Sequence, residues 1–196
     1  IAEGIDSEIT PPPKVKYTLV SSGQTASYFL RDDGQVDRTK RGGKIQVTID
    51  QPTNTKYIDI VAGHCRSFFL REDGVVDYSS GKGKINGSLT CVDDGVKYVK
   101  ISKFSMGITT DKTDTNPNQV YLIRSDGAAD KYFVGLFGQQ KDNFVGTVKC
   151  ANAGVKYISG STAQVSSYLV RSDGAVDRIT TGVAISHTMN PPPGLK

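Results

Sequence analysis

Among its 196 residues the chain has no tryptophan, only two histidines, three cysteines and no long apolar run. Each scarcity excludes something. Cys65, Cys91 and Cys150 are too few, and odd in number, for a disulfide framework. Their spacing suggests no zinc site, since no CxxC or Cys/His pattern is present. Cys91 and Cys150 each stand seven residues before a tyrosine, Tyr98 and Tyr157, and that shared phase reads as small buried apolar packing. A bridge between the two is the lesser reading. No stretch approaches the roughly 18 to 20 apolar residues of a membrane-spanning helix, and no signal peptide is visible. A chain that opens on Ile1 leaves a removed leader open, so the compartment stays unassigned between cytoplasm, nucleus and organelle interior.

Catalysis finds little footing. His64 and His187 are far apart in phase, and adjacent His64 and Cys65 would point to opposite faces of a strand, which undermines a Cys-His pair. No P-loop, GxSxG or HExxH motif occurs. The acidic stretch from Asp111 to Asn116 lacks the glycine and the bidentate glutamate of a calcium loop. The expectation is a non-enzyme with no catalytic residue, no cofactor and no metal. The net charge of +4 permits an anionic partner without demanding one.

What is present is repetition. Residues 16–45 read KYTLVSSGQTASYFLRDDGQVDRTKRGGKI, and residues 56–85 read KYIDIVAGHCRSFFLREDGVVDYSSGKGKI. A third copy opens KYVKIS at Lys97 and resumes VYLIRSDGAADKYFVG at Val120, and a fourth begins at Lys156. The lead tyrosines Tyr17, Tyr57, Tyr98 and Tyr157 are 40, 41 and 59 residues apart. The long third interval holds two insertions, within 103–119 and 131–145, which belong on loops. The units are read as 1–15 (the tail of a preceding repeat or a closing strand), 16–55, 56–96, 97–155 and 156–196, together one domain. The opening GIDSEITPPPKVKY resembles the ending GVAISHTMNPPPGLK, so the four units can be a window on a longer array or can close on the first tail.

Within a unit the signals are those of strands. Tyr28, Phe29 and Leu30 suit a strand, and the Asp-Gly pair at Asp33 and Gly34 signals a hairpin. A three-residue loop with Gly34 in the left-handed position pairs Leu30 with Val36 and keeps both on one face. The same holds for Leu70 with Val76, Ile123 with Ala129, and Val170 with Val176. Gly34, Gly74, Gly127 and Gly174 are therefore assigned as turn residues, because glycine alone takes positive φ without steric cost. With a Tyr-led strand before and a weaker strand after, each unit of about 40 residues is one propeller blade. The fold class is all-β, a propeller-like tandem repeat.

Tyr57, Ile60, Gly63, Ser67, Leu70, Asp73, Gly74 and Val76 together resemble the RCC1-like β-propeller repeat. The resemblance covers nearly the whole chain and implies a ring of about seven blades that binds proteins or chromatin through its faces. The family's Trp-Gly after the hairpin is replaced by Asp37-Arg38, Asp77-Tyr78, Asp130-Lys131 and Asp177-Arg178. WD40 repeats are excluded for want of tryptophan.

Three groups stand out as candidate sites. Arg31, Arg71, Arg124 and Arg171 share a hairpin face with Asp37, Asp77, Asp130 and Asp177, one diagonal step away. A register-fixing ion pair is the favoured reading, each exposed pair contributing under about 1 kcal/mol. A ring of arginines for an anionic partner is the alternative. The basic loop with Arg38, Lys40, Arg41 and Lys44 is a solvated turn or a contact for an acidic surface. Phe133, Phe137 and Phe144, placed in the second insertion, either pack back on the core or anchor a partner. The leading expectation is a protein–protein interaction or scaffold subunit of a multi-subunit assembly, which could be a membrane complex that the chain decorates peripherally. Association with nucleic acid or chromatin comes second, and a secreted or organellar inhibitor or an enzyme third.

Overall fold

The computed structural model describes residues 9–23, 26–39, 45–63, 66–79, 83–104, 118–134, 143–162, 166–180, 182–192 and 194, with residues 46, 47, 103, 104, 118 and 134 described by backbone alone. Every regular element among them is a β-strand. The chain divides into two compact units, 1–88 and 89–196.

The first unit begins with a sheet of β1 (Tyr17–Ser22), β2 (Ser27–Arg31), β3 (Val36–Thr39) and β4 (Ile45–Thr48), paired in chain order. A second sheet follows in the same order, with β5 (Tyr57–Ala62), β6 (Ser67–Arg71), β7 (Val76–Ser79) and β8 (Ile85–Leu89). The second unit continues with β9 (Tyr98–Ile101), β10 (Lys103–Phe104), β11 (Asn118–Arg124), β12 (Ala129–Val134) and β13 (Asn143–Val148). It ends with β14 (Tyr157–Thr162), β15 (Ser167–Arg171), β16 (Val176–Ile179) and β17 (Ile185–Met189). Here β9, β11, β12 and β13 form the third sheet, and β14 to β17 form the fourth, with β10 added in parallel at its β14 edge.

The hairpins take the register that keeps apolar residues on one face. Leu30 lies opposite Val36, Leu70 opposite Val76, Ile123 opposite Ala129 and Val170 opposite Val176. Gly34, Gly74, Gly127 and Gly174 have φ of 84°, 91°, 93° and 86°, the left-handed region such a turn requires. A second constraint acts at Gly34, where a Cβ would lie 2.5 Å from Lys56 Cβ. The Tyr57 amide donates to Gly34 O at 2.9 Å, so the turn of the first sheet is bonded to the start of the second. Gly127 and Tyr157 repeat this link in the second unit at 2.8 Å.

In each unit one sheet packs face to face on the next. Tyr28, Leu30 and Val36 of the first sheet share a core with Tyr57, Ile60 and Phe69 of the second. Tyr28 meets the Phe69 ring edge-on at 5.4 Å, an arrangement aromatic quadrupoles favour. In the second unit Tyr121, Ile123 and Ala129 pack with Tyr157, Leu169 and Ile179.

Two sequence expectations need correction. Phe133 and Phe144 lie on strands rather than in an insertion loop, with Phe133 opposite Asn143 and Tyr132 opposite Phe144. The insertion is shorter because β12 and β13 extend into it. Cys91 and Cys150 are free and half-buried rather than apolar core. The Cys91 thiol lies 3.7 Å from Asp130 Oδ2.

Candidate functional site

The most elaborate chemistry in each sheet is a buried carboxylate. Asp37, Asp77, Asp130 and Asp177 are all buried, so each must find donors for its oxygens. The first donor is the lead tyrosine. Tyr17, Tyr57, Tyr98 and Tyr157 donate their hydroxyls to these aspartates at 2.8, 2.7, 2.9 and 2.8 Å. The second is a hydroxyl from the outermost strand. Thr48, Thr147 and Thr188 donate at 2.9, 2.7 and 2.7 Å, and Ser88 takes the same place in the second sheet. The third is the arginine ahead of the turn. Arg71 is bidentate on Asp77, with Nε at 2.8 Å and Nη2 at 2.6 Å. Arg124 reaches Asp130 at 3.1 Å, Arg171 reaches Asp177 at 3.5 Å, and Arg31 stands 3.8 Å from Asp37.

The result is a staple in which one side chain from each of the four paired strands meets at one carboxylate. The ion pairs are thus not the exposed type expected from sequence. Each arginine also reaches the aspartate of its own turn, as Arg31 does with Asp33 and Arg171 with Asp173, both at 2.5 Å. Those turn carboxylates accept a backbone amide two residues on, as Asp33 does from Gln35, which is ordinary Asx-turn chemistry. Arg124 bonds Asp93 as well.

Electrostatics follow the geometry. Burial, and then the bond to Asp77, holds the Tyr57 hydroxyl protonated far above its usual range. Burial and an acidic acceptor do the same for Tyr17 and Tyr157, and burial with the Tyr132 hydroxyl does so for Tyr98. A tyrosine held this way cannot act as a base, and the donors of the staple are spent on the carboxylate. The arrangement builds structure and offers no poised nucleophile.

The other sequence candidates scatter. Arg38 is on β3, opposite Tyr28, and is buried rather than on a solvated loop. Lys40, Arg41, Lys44 and Phe137 lie outside the described residues, as do His64, Cys65 and residues 111–116. Phe144 is exposed and tilts onto Tyr132 at 5.6 Å. Phe133 is half-buried, with Lys131 Nζ 5.3 Å from its ring. Lys131 itself is buried, donates to Gly182 O at 2.7 Å, and has its pKa drawn down by burial.

One surface feature had no sequence signal. The residue after each lead tyrosine sits in a β-bulge, because the register slips there in every sheet. Thr18, Ile58, Val99 and Ile158 occupy this place, beside the turn end of their own sheets. The three aliphatic residues are half-exposed, at 51%, 47% and 53%. Bulges commonly re-aim a side chain, and here they turn a branched apolar residue outward.

Antiparallel sheets, one per repeat and packed face to face in a pair within each unit, define the propeller-like tandem repeat fold. Solved structures place that fold beside RCC1-like propellers. Human WBSCR16 superposes with a TM-score of 0.65 at 14% identity, over 97% of this chain and 57% of that one. Yeast RCC1 (Prp20), in its complex with Kap60, matches with a TM-score of 0.60 at 11% identity, over 95% and 51%. Prp20p in a second structure, described with its binding to Gsp1p and histones, gives 0.56 at 15% identity, over 85% and 44%. The chain therefore spans about half the length of these propellers. No family model matches the sequence, and no curated protein matches it.

Proposed function

We propose that the chain is a non-catalytic protein-binding scaffold that works within a larger assembly. The observation carrying this reading is a division of labour in the second, third and fourth sheets. In these sheets the lead tyrosine and the aspartate after the turn are bonded to each other in the staple, while Ile58, Val99 and Ile158 stand bare at the bulges. Apolar groups repeated at one structural position offer anchors to a partner protein. Phe144, on the other edge strand of the third sheet, is a separate exposed apolar group. Prp20, with which the chain shares its fold, binds Kap60.

The test is recovery of the chain with its native neighbours at high salt. Co-purifying proteins should persist at high ionic strength and be lost from the triple variant Ile58→Asp, Val99→Asp, Ile158→Asp, whose melting temperature stays within a few degrees of the unmodified chain. Retention of every partner by that variant would sink the proposal. Salt-labile association with DNA, and no protein partner, would favour nucleic acid instead.

A further inference from the structure

The contact between the first two sheets encloses three polar side chains that the staples do not use. Tyr28 and Arg38 lie directly opposite each other on β2 and β3, and the Tyr28 ring rests against Phe69 of the second sheet. Arg38 therefore faces the second sheet as well. On that sheet Ser67 is two residues from Phe69 along β6, and Ser79 stands opposite Ser67 on β7. The bond from the Tyr57 amide to Gly34 O holds the turn ends of the two sheets together, so the ends where β2 and β6 begin also meet. Ser79 thus faces back towards Tyr28 and Arg38. All three residues are buried, at 2%, 5% and 0% exposure for Tyr28, Arg38 and Ser79. Tyr28 Oη, Arg38 Nε and Ser79 Oγ have no hydrogen-bond partner among the described residues.

A buried guanidinium without a counter-charge is among the costliest groups a core can hold. The carboxylates nearby are already taken. Asp77 is bonded by Tyr57, Arg71 and Ser88, and Asp37 by Tyr17 and Thr48. The sequence that leads on from β3 and β7, residues 38–49 and 78–92, carries no acid. The second unit builds the same place differently. Lys131 stands opposite Tyr121 as Arg38 stands opposite Tyr28, but Lys131 Nζ donates to Gly182 O at 2.7 Å. Ile179 stands opposite Ser167 as Ser79 stands opposite Ser67. There the cation has its acceptor, and a hydrocarbon replaces the serine.

We propose that Tyr28, Arg38 and Ser79 bind a small monovalent anion, a halide of chloride size, between the first two sheets. Each hydroxyl donates one hydrogen bond to it, and the guanidinium donates another and supplies the balancing charge. A water molecule in the same place accepts hydrogen bonds but leaves the charge unbalanced. The three donor atoms are fully enclosed, which selects a monatomic ion over a phosphate or a carboxylate carried by a larger molecule.

The melting temperature of the full chain, followed as chloride replaces gluconate at constant ionic strength, tests the idea. Raising chloride from about 1 to about 100 mM should raise the melting temperature by about 5 °C. The NMR signal of chloride should broaden when the protein is added and sharpen again when bromide displaces it. Arg38→Met and Ser79→Ile should each abolish both effects. The second variant copies Ile179 of the fourth sheet, so it decides the matter if Arg38→Met fails to fold. A melting temperature indifferent to chloride at fixed ionic strength overturns the proposal. So does a chloride effect that Ser79→Ile retains in full, or stabilisation by phosphate where chloride has none.

Discussion

The second sheet and the first differ chiefly in what lies against the Tyr-Phe face. In the second sheet Tyr57, Ile60 and Phe69 are sealed under a neighbour, whereas in the first Tyr17, Val20 and Phe29 are half open. The tyrosine bond beneath is nevertheless alike, with Tyr17 and Tyr57 donating to Asp37 and Asp77 at 2.8 and 2.7 Å, although Arg71 is bidentate on Asp77 and Arg31 stands 3.8 Å from Asp37. The tyrosine–aspartate bond of a sheet therefore forms under either degree of cover, while the sheet's apolar contribution is set by the neighbour. Stability in stacked repeats divides in this way into a term within each repeat and a term between repeats.

Breaking both terms should show the split. The largest effect is expected for removal of a staple carboxylate. Asp77→Ala leaves the Arg71 charge, the Tyr57 hydroxyl and the Ser88 hydroxyl without their acceptor, and should cost about 3–5 kcal/mol in urea unfolding. Phe69→Ala should cost nearly as much, about 3–5 kcal/mol, because it empties a sealed contact. Phe29→Ala, the same change on the open face, should cost less than half of that. Equal losses from the two phenylalanines would erase the contrast between sealed and open faces. Gly127→Val meets both a positive φ and the Lys156 stem, and should cost well over about 1 kcal/mol. The smallest expected effect is alkaline. Tyr17, Tyr57, Tyr98 and Tyr157 hold their protons more tightly when folded, relative to the ordinary value of 10.0. A raised folded pKa gives stability present in full below the unfolded pKa and lost as pH rises beyond it. The melting temperature should therefore be steady up to about pH 9 and fall above about pH 10. Tyrosinate absorbance should show a late step that coincides with unfolding.

Much of the fold could be read from the chain because its determinants are local. The Asp-Gly turns at Gly34, Gly74, Gly127 and Gly174 and the choice of Leu30 opposite Val36 follow from turn chemistry and period-two alternation. The Arg and Asp of each staple were visible for the same reason, since they flank one hairpin. The Tyr and the Ser or Thr of the staple were not. Thr48, Ser88, Thr147 and Thr188 stand on strands with weak alternation, and bulges between Arg38 and Thr39, and between Arg178 and Ile179, shift the register on which their facing depends. Arg38 looked like part of a basic loop because its cover comes from another sheet. Phe133 and Phe144 looked like loop residues because β12 pairs with β13 across a long connection that no local pattern announces. The outward Ile58, Val99 and Ile158 owe their exposure to the slip at the bulge, which reverses the expected face.

The central joint of each sheet is the carboxylate that gathers a side chain from each of its four paired strands. Equilibrium urea unfolding of Asp37→Asn, Asp77→Asn, Asp130→Asn and Asp177→Asn, set against turn variants Asp33→Asn and Asp73→Asn, tests it directly. The four staple variants should each lose at least about 3 kcal/mol, and the turn variants no more than about 1 kcal/mol. Staple losses no larger than the turn losses would contradict the account.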